Sequence, residues 1–109
     1  MNKEPFVSII IPVSRWNNNL KECIQYCIQL DYPDYEIIVL PDEPFKYHET
    51  SRVEVLPTGC LGPAAKRNIG IREARGEIIA FIDDDTYPAN GWLRNAVNDF
   101  LTEDIAAVG

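Results

Sequence analysis

The sequence lacks the segments that span membranes or direct export. Its longest apolar run is a few residues, far short of the roughly 20 that cross a bilayer, and residues 1–5 (MNKEP) do not have the apolar character of a signal peptide. No Gly/Ser linker, internal repeat or low-complexity tract divides the 109 residues. We therefore expect one cytoplasmic domain with no membrane span.

Basic residues are also scarce, because 10 Lys and Arg accompany 17 Asp and Glu and the net charge is −7. An acidic surface repels polyanions, so we expect no nucleic-acid partner. A phosphorylated small molecule is compatible with this charge if a cation or local arginines contact it. The three cysteines do not suggest a disulfide framework, and no Cys-x-x-Cys pair is present to bind zinc. Cys23 and Cys27 lie one helical turn apart and are predicted to be core residues.

Two common nucleotide-binding fingerprints are missing. No Gly-x-Gly-x-x-Gly follows the first predicted strand, and the chain has no Gly-x-x-x-x-Gly-Lys-Ser/Thr loop. These motifs cradle phosphates in dinucleotide-binding domains and in P-loop NTPases, respectively. The sequence therefore indicates neither class.

Apolar runs alternate with amphipathic segments along the chain. The runs FVSIIIP and YEIIVL are typical of strands covered on both faces. Alternating strands and helices predict an α/β fold with a parallel, doubly wound (Rossmann-like) sheet and helices on both faces. We expect strands at 6–12, 35–40, 52–56, 77–82 and 105–108. We expect helices at about 18–30 with Asn18 or Asn19 as the cap, at 63–76 between Pro63 and Gly76, and from Asn90 onward.

Carboxylates follow two of these predicted strands. Asp83, Asp84 and Asp85 come directly after 77–82, and Asp42 follows 35–40. Ligands of parallel sheets gather at the carboxyl ends of the strands. Two like charges about 4 Å apart repel by roughly 4 kcal/mol at an effective dielectric of about 20, so a proton or a cation must relieve the triplet. Carboxylate oxygens suit Mg²⁺ or Mn²⁺. The pattern favours a divalent-metal and ligand site over a solvated acidic turn.

Two cations, Lys66 and Arg67, fall in the first turns of the helix that Pro63 begins. Cations at this end oppose the helix dipole by a few tenths of a kcal/mol each, and a bound anion would offset that cost. Two solvated side chains explain the pattern equally well. Both interpretations stay open at this point.

Two segments of the chain resemble the family 2 glycosyltransferases of GT-A type. They are VSIIIPVSRWNNNLKECIQYCIQLDYPDYEIIVL and GPAAKRNIGIREARGEIIAFIDDD, and the resemblance covers essentially the whole chain in the order typical of the family. It implies metal-dependent binding of a nucleotide diphosphate sugar and transfer of the sugar, with inversion, to an acceptor. In that chemistry Mn²⁺ or Mg²⁺ stabilises the leaving group.

The resemblance implies roles for individual residues on the nucleoside side. Pro12, Val13 and Ser14 would line the nucleoside pocket. Asp42 would hydrogen-bond the base. The family often has Asp-Asp-Gly-Ser at this point, where this chain has PDEP, so the preference for a base stays open. A UDP-sugar is expected over a GDP-sugar from its frequency in the family alone.

The resemblance also implies roles on the diphosphate side. Arg67, within the segment AKRN, would approach the nucleotide or its phosphates. Asp83, Asp84 and Asp85 occupy the Asp-x-Asp (DXD) signature of the family. Asp83 would face the ribose or the sugar, Asp85 would hold the metal, and Asp84 could share either role.

The chain ends at Gly109, where the acceptor half of such enzymes would begin. Their general base, which deprotonates the acceptor hydroxyl, comes from that half. We therefore expect residues 1–109 to be a truncated donor-binding subdomain, an incomplete GT-A fold that binds donor without transferring it alone. No catalytic residue is assigned, and the sugar and acceptor are not identified.

Three other kinds of protein match part of this sequence. A nucleotide-sugar domain that only binds would share the same donor residues. A haloacid-dehalogenase-like phosphatase also uses Asp-x-Asp with Mg²⁺, but its motif follows the first strand and reads Asp-x-Asp-x-Thr, whereas Thr86 here falls one position early. A response-regulator receiver needs its aspartate after the third strand, where Pro57 and Thr58 stand. The last two are disfavoured.

Overall fold

A computed structural model describes residues 4–103 of the chain, with side chains described for residues 4–99. It has four strands and three helices in this range. They are β1 (Val7–Pro12), α1 (Asn18–Ile28), β2 (Tyr35–Leu40), β3 (Val53–Val55), α2 (Pro63–Glu73), β4 (Ile78–Phe81) and α3 (Trp92–Glu103). The strand predicted at 105–108 lies outside the described residues. Within 4–103, every helix is too short or too polar to span a bilayer.

The four strands form one parallel sheet in the order β3-β2-β1-β4. The chain moves outward from β1 to β2 and β3, and then returns to place β4 on the other side of β1. Such a reversal opens a crevice at the carboxyl ends of the central strands, where α/β proteins bind ligands. The predicted parallel, doubly wound sheet is therefore confirmed.

Helices cover both faces of the sheet, as predicted. On one face, Ile9 and Ile37 of the sheet belong to the same buried cluster as Leu20 of α1 and Leu93 of α3. This cluster also contains Cys23 and Cys27, which have no exposed surface and are confirmed as core residues. On the other face, α2 contributes Ile69 to a smaller cluster built around Ile10, Ile38 and Leu40.

The helix α2 lies unusually close to the sheet at Gly70. A Cβ atom at this position would lie 2.7 Å from Ile10 Cγ2 and 3.4 Å from Leu40 Cδ1. Only a residue without a side chain permits this approach, because interiors are packed to near-crystalline density. Gly70 therefore sets the distance between α2 and the strands whose ends carry the site.

Three predicted helix boundaries differ from the structure. Asn17 caps α1, where we expected Asn18 or Asn19, because its side chain accepts from the backbone N–H of Leu20 at 2.8 Å. The helix α2 ends at Glu73 with Ala74 as its C-cap, so Gly76 is not the stop. Gly76 instead packs against β1, where a Cβ would lie 2.6 Å from the backbone nitrogen of Ser8.

The third difference concerns α3, which begins at Trp92 and not directly after Asn90. The backbone carbonyl of Asn90 accepts from the N–H of Asp31 at 2.8 Å. This tertiary hydrogen bond holds the segment before α3 against the end of α1. A sequence pattern contains no signal for it, since the partners are far apart in the chain.

A buried carboxylate lies near the amino ends of β1 and β2, at the end of the sheet away from the predicted site. Glu36 is 3% exposed, and it accepts from Ser8 Oγ at 2.6 Å and from the guanidinium of Arg75 at 2.8 and 3.0 Å. The backbone N–H of Arg75 donates to it as well, at 2.8 Å. Burial raises the pKa of Glu36, but these hydrogen bonds outweigh burial and hold it below its ordinary value.

Candidate functional site

A cleft of about 560 Å³ opens at the carboxyl ends of β1, β2 and β4. Its lining contains all eight residues that the sequence singled out. The full lining is Pro12, Val13, Ser14, Asp42, Cys60, Leu61, Pro63, Lys66, Arg67, Asp83, Asp84 and Asp85. Residues from four separate stretches of chain therefore meet at the crevice that the topology creates.

The floor of the cleft continues the hydrogen-bond ladder between β1 and β2. Val13 donates its backbone N–H to Leu40 O at 3.2 Å, and Asp42 donates its own to Ser14 O at 2.9 Å. The carbonyl of Asp42 in turn accepts from the N–H of Gly59 at 2.9 Å. Gly59 has a φ of 82°, a conformation that glycine adopts without strain. These bonds fix the backbone of Asp42 between the strand ends and the loop that leads to α2.

Lys66 reaches under this floor from α2. Its Nζ donates to Val13 O and Leu40 O, each at 3.0 Å, and to Asp42 Oδ1 at 2.7 Å. The lysine is 3% exposed and Asp42 is 26% exposed. A buried ammonium needs such partners, because removal of an unpaired charge from water is costly. The interpretation of Lys66 as a solvated side chain is therefore wrong.

Arg67 points to the other side of the cleft. Its Nη2 lies 3.4 Å from Asp83 Oδ1, and both side chains are exposed. An exposed pair at this distance is weak. The guanidinium therefore keeps donors available toward the cleft that it lines.

The three aspartates do not point together. Asp83 faces Arg67, while Asp84 Oδ2 accepts from Asn17 Nδ2 at 3.1 Å. Asp85 is exposed at the cleft. Among residues 4–103, no three side chains of the metal-binding types meet in a group that could hold an ion alone. The chain thus offers one or two carboxylates, which fits Mg²⁺ or Mn²⁺ because these ions commonly complete their coordination with substrate phosphates and water.

A second cavity, of about 590 Å³, adjoins the cleft. The two share Ser14, Asp42 and Cys60. The second cavity is bounded by Trp16 and Phe45, whose ring centroids lie 5.1 Å apart in an edge-to-face arrangement. Asp42 and the exposed thiol of Cys60 thus stand where the charged cleft meets an aromatic one.

Tyr47 supports the aromatic wall from behind Trp16, with a centroid separation of 6.1 Å. Burial and the hydrogen bond that its hydroxyl donates to Glu49 raise the pKa of Tyr47 to about 12. The ring is therefore neutral at physiological pH. It contributes packing to this wall and no charge.

Five residues at or beside the cleft were not predicted as site residues. Cys60, Leu61, Pro63 and Lys66 line the cleft, and Asn17 donates to Asp84. Asn17 is not distinguished by the sequence, because its neighbours Asn18 and Asn19 match the same capping pattern. The spacing of Lys66 indicates only a position near the start of α2. The close packing of α2 at Gly70 decides whether Lys66 is buried, and such packing leaves no short-range signal.

Comparison with known proteins identifies the chain. The family model described as Glycosyl transferase family 2 matches residues 8–109. An uncharacterized glycosyltransferase of Haemophilus influenzae is 33% identical in an alignment that covers 89% of this chain and 43% of that protein. Glycosyltransferase AglE of Haloferax volcanii is 32% identical in an alignment that covers 96% of this chain and 38% of that protein. The chain thus spans about two fifths of the length of these relatives.

Solved structures show the same fold. Staphylococcus aureus TarS in complex with UDP-GlcNAc superposes with a TM-score of 0.74 at 24% identity, over 87% of this chain and 31% of that one. The mannosyltransferase PcManGT of Pyrobaculum calidifontis, in complex with GDP-Man and Mn²⁺, gives a TM-score of 0.74 at 24% identity, over 90% and 33%. The sheet is therefore that of GT-A glycosyltransferases, and the chain belongs to glycosyl transferase family 2.

Proposed function

We propose that this chain binds a nucleotide diphosphate sugar, with a divalent cation, as the donor half of an inverting hexosyltransferase. The observation that supports this most directly is the convergence of all eight predicted residues on one cleft at the reversal of the sheet. Family membership supports nucleotide-sugar chemistry over the phosphatase and receiver alternatives. We assign no catalytic base to the described residues. Action in the cytoplasm remains a prediction from the sequence.

The nucleoside is proposed to lie at the ends of β1 and β2. Pro12, Val13 and Ser14 form one wall of the cleft there, and Asp42 presents a partly exposed carboxylate beside them. An ionised carboxylate accepts hydrogen bonds and donates none, so it suits the N–H groups of a base. We favour UDP over GDP, although one structural neighbour was solved with UDP-GlcNAc and another with GDP-Man.

The diphosphate is proposed to lie between Arg67 and the aspartates. A guanidinium that lines an open cleft suits phosphate oxygens, which it binds with paired N–H donors. We propose that Asp83 faces the ribose or the sugar, as the family resemblance implies. Asp85 is our choice for the metal, because Asp83 and Asp84 already have partners in Arg67 and Asn17. Bound Mn²⁺ or Mg²⁺ would neutralise charge on the leaving diphosphate.

Calorimetric titration with UDP, GDP and their sugars, with and without Mn²⁺, tests the proposal. We expect Mn²⁺-dependent binding of a nucleotide diphosphate. Asp85→Ala should abolish the metal-dependent part, because the ion would lose its proposed protein ligand. Asp34→Ala is the matched control, since Asp34 is an exposed aspartate before β2 at the opposite end of the sheet.

The metal assignment and the donor-site proposal can fail independently. Retained Mn²⁺-dependent affinity in Asp85→Ala would remove Asp85 from the metal site while leaving the donor site in place. Failure of a folded wild-type chain to bind any nucleotide diphosphate in the presence of metal would overturn the donor-site proposal. Circular dichroism of each variant confirms that the sample is folded.

A further inference from the structure

Lys66 uses every hydrogen-bond donor that it has inside the protein. An ammonium carries three donors, and the structure pairs them with Val13 O, Leu40 O and Asp42 Oδ1 at 2.7 to 3.0 Å. The side chain lies beneath the cleft and is 3% exposed. Lys66 therefore has no donor left for a ligand, and any effect that it has on binding passes through its partners.

Of these three partners, Asp42 is the one that contacts Lys66 through a side chain, so its direction depends on the lysine. The carbonyl of Leu40 also accepts from the N–H of Val13 at 3.2 Å, so it keeps a partner. The carboxylate of Asp42 is 26% exposed and its backbone is already fixed by Ser14 and Gly59. Lys66 therefore orients the carboxylate of Asp42 and places a positive charge beside it.

We propose that Lys66 is a positioning residue that aims the carboxylate of Asp42 at the nucleobase. This inference rests on the proposed function, which places the base beside Asp42. The ammonium occupies Oδ1 from below the floor, which leaves Oδ2 for a ligand. Asp42 lines both the charged cleft and the aromatic cavity. A change in the direction of its carboxylate therefore changes the shape and charge of the opening between the two.

The position requires a lysine in particular. Arginine presents a planar fork of donors and cannot place three donors around one point as an ammonium does. Methionine has a similar length and no donor, so it fills the space without aiming Asp42. The expected losses on replacement are those of a charged hydrogen bond to a ligand, roughly 10- to 100-fold in affinity.

A double-mutant cycle between Lys66 and Asp42 tests the inference, with UMP and magnesium pyrophosphate as separate probes. Lys66→Met and Asp42→Asn should each weaken UMP binding by at least about tenfold. The double variant should bind UMP no more weakly than the weaker-binding single variant. Both changes act through the same acceptor, the carboxylate of Asp42, so their effects should not add. Binding of magnesium pyrophosphate should stay unchanged in all three, since its proposed partners are Arg67 and the aspartates.

Wild-type protein supplies a measurement that does not depend on the folding of a variant. The ammonium of Lys66 is buried, so its ¹⁵Nζ resonance should be observable in lysine-labelled protein. UMP should shift this resonance, because Asp42 shares its carboxylate with both groups. Magnesium pyrophosphate should leave it in place.

Several results would overturn the inference. These are additive losses in the cycle, unchanged UMP affinity in Lys66→Met, or an ¹⁵Nζ resonance that UMP leaves unmoved. Equal losses for UMP and pyrophosphate would assign Lys66 a general structural role. A folded wild-type chain that binds no nucleotide diphosphate with metal present would contradict the proposed function as well. Normal wild-type binding of UMP with an unaffected Lys66→Met would contradict this inference alone.

Discussion

Asn17 donates a hydrogen bond from Nδ2 to Asp84 Oδ2 at 3.1 Å, while its own Oδ1 accepts from the N–H of Leu20 at 2.8 Å. One side chain thus caps α1 and holds the middle aspartate of the triplet. This bond joins the start of α1 to the turn after β4.

Asn17→Ala should lower the free energy of unfolding by about 1 kcal/mol, because α1 loses its cap. Asn17→Ser should restore most of that loss, since a serine hydroxyl also accepts from the first turn. Urea denaturation of the three proteins measures both values. Alanine and serine variants that are equally stable, and both less stable than the wild type, would show that the bond to Asp84, and not the cap, carries the contribution of Asn17.

Arg67→Ala should weaken UDP binding at least about tenfold while changing the free energy of unfolding by less than about 1 kcal/mol. The first effect follows from the proposed phosphate contact, and the second from the exposed, 3.4 Å pair with Asp83. Titration with UDP and with uridine separates the two parts of the ligand. A loss of the same size for uridine would place Arg67 at the nucleoside and contradict the diphosphate assignment.

Arg75→Met should raise the pKa of Glu36, because it removes the guanidinium bonds that help to hold this pKa below its ordinary value. A depressed pKa in the folded state stabilises the protein fully above the unfolded pKa of about 4.3, and this stabilisation is lost as pH falls through the folded pKa. The variant should therefore unfold at a higher pH during acidification. NMR titration of Glu36 and circular dichroism against pH measure the two effects.

Arg72→Met is the matched control for that experiment. Arg72 lies three residues before Arg75, in the last turn of α2, and has the same 72% exposure. Its ion pair joins it to the exposed Glu73 at 3.8 Å. Its removal should leave the acid transition in place. An equal shift in both variants would indicate a general effect of net charge.

Gly70→Ala should destabilise the protein by roughly 1–2 kcal/mol, although alanine is the better helix former by up to about 1 kcal/mol. The added Cβ would lie 2.7 Å from Ile10 Cγ2, which is fully buried and has no room to yield. Ala65→Gly, at an exposed position of α2, measures the propensity effect separately. A Gly70→Ala variant that is more stable than wild type would show that α2 can move away from the sheet.

The sequence predicted the parts of the molecule whose causes are local. The buried strands at Val7–Pro12 and Tyr35–Leu40 follow from continuous apolar runs, and their parallel pairing follows from the helix between them. The rule that ligands gather at the carboxyl ends of parallel strands predicts that Asp42 and Asp85 lie at the same end of the sheet. Their proposed roles stay predictions.

The sequence failed where distant parts of the chain decide the outcome. The burial of Lys66 depends on the separation of α2 from the sheet, which Gly70 and Ile10 set together. Asn17, the cap of α1, also donates a hydrogen bond to Asp84, 67 positions away. Both features arise from tertiary contacts, and no pattern of period 2 or 3.6 contains them.

The distribution of the three thiols has a practical consequence for chemical reactivity. Cys23 and Cys27 are sealed in the core, while Cys60 is exposed where the two cavities meet. An alkylating reagent should modify one sulfur in the native chain and three after denaturation, because burial blocks access to a thiolate. A molecule that fills either cavity should slow modification of Cys60. The cleft therefore contains its own reporter of occupancy, which can be read as a rate of alkylation without a labelled ligand.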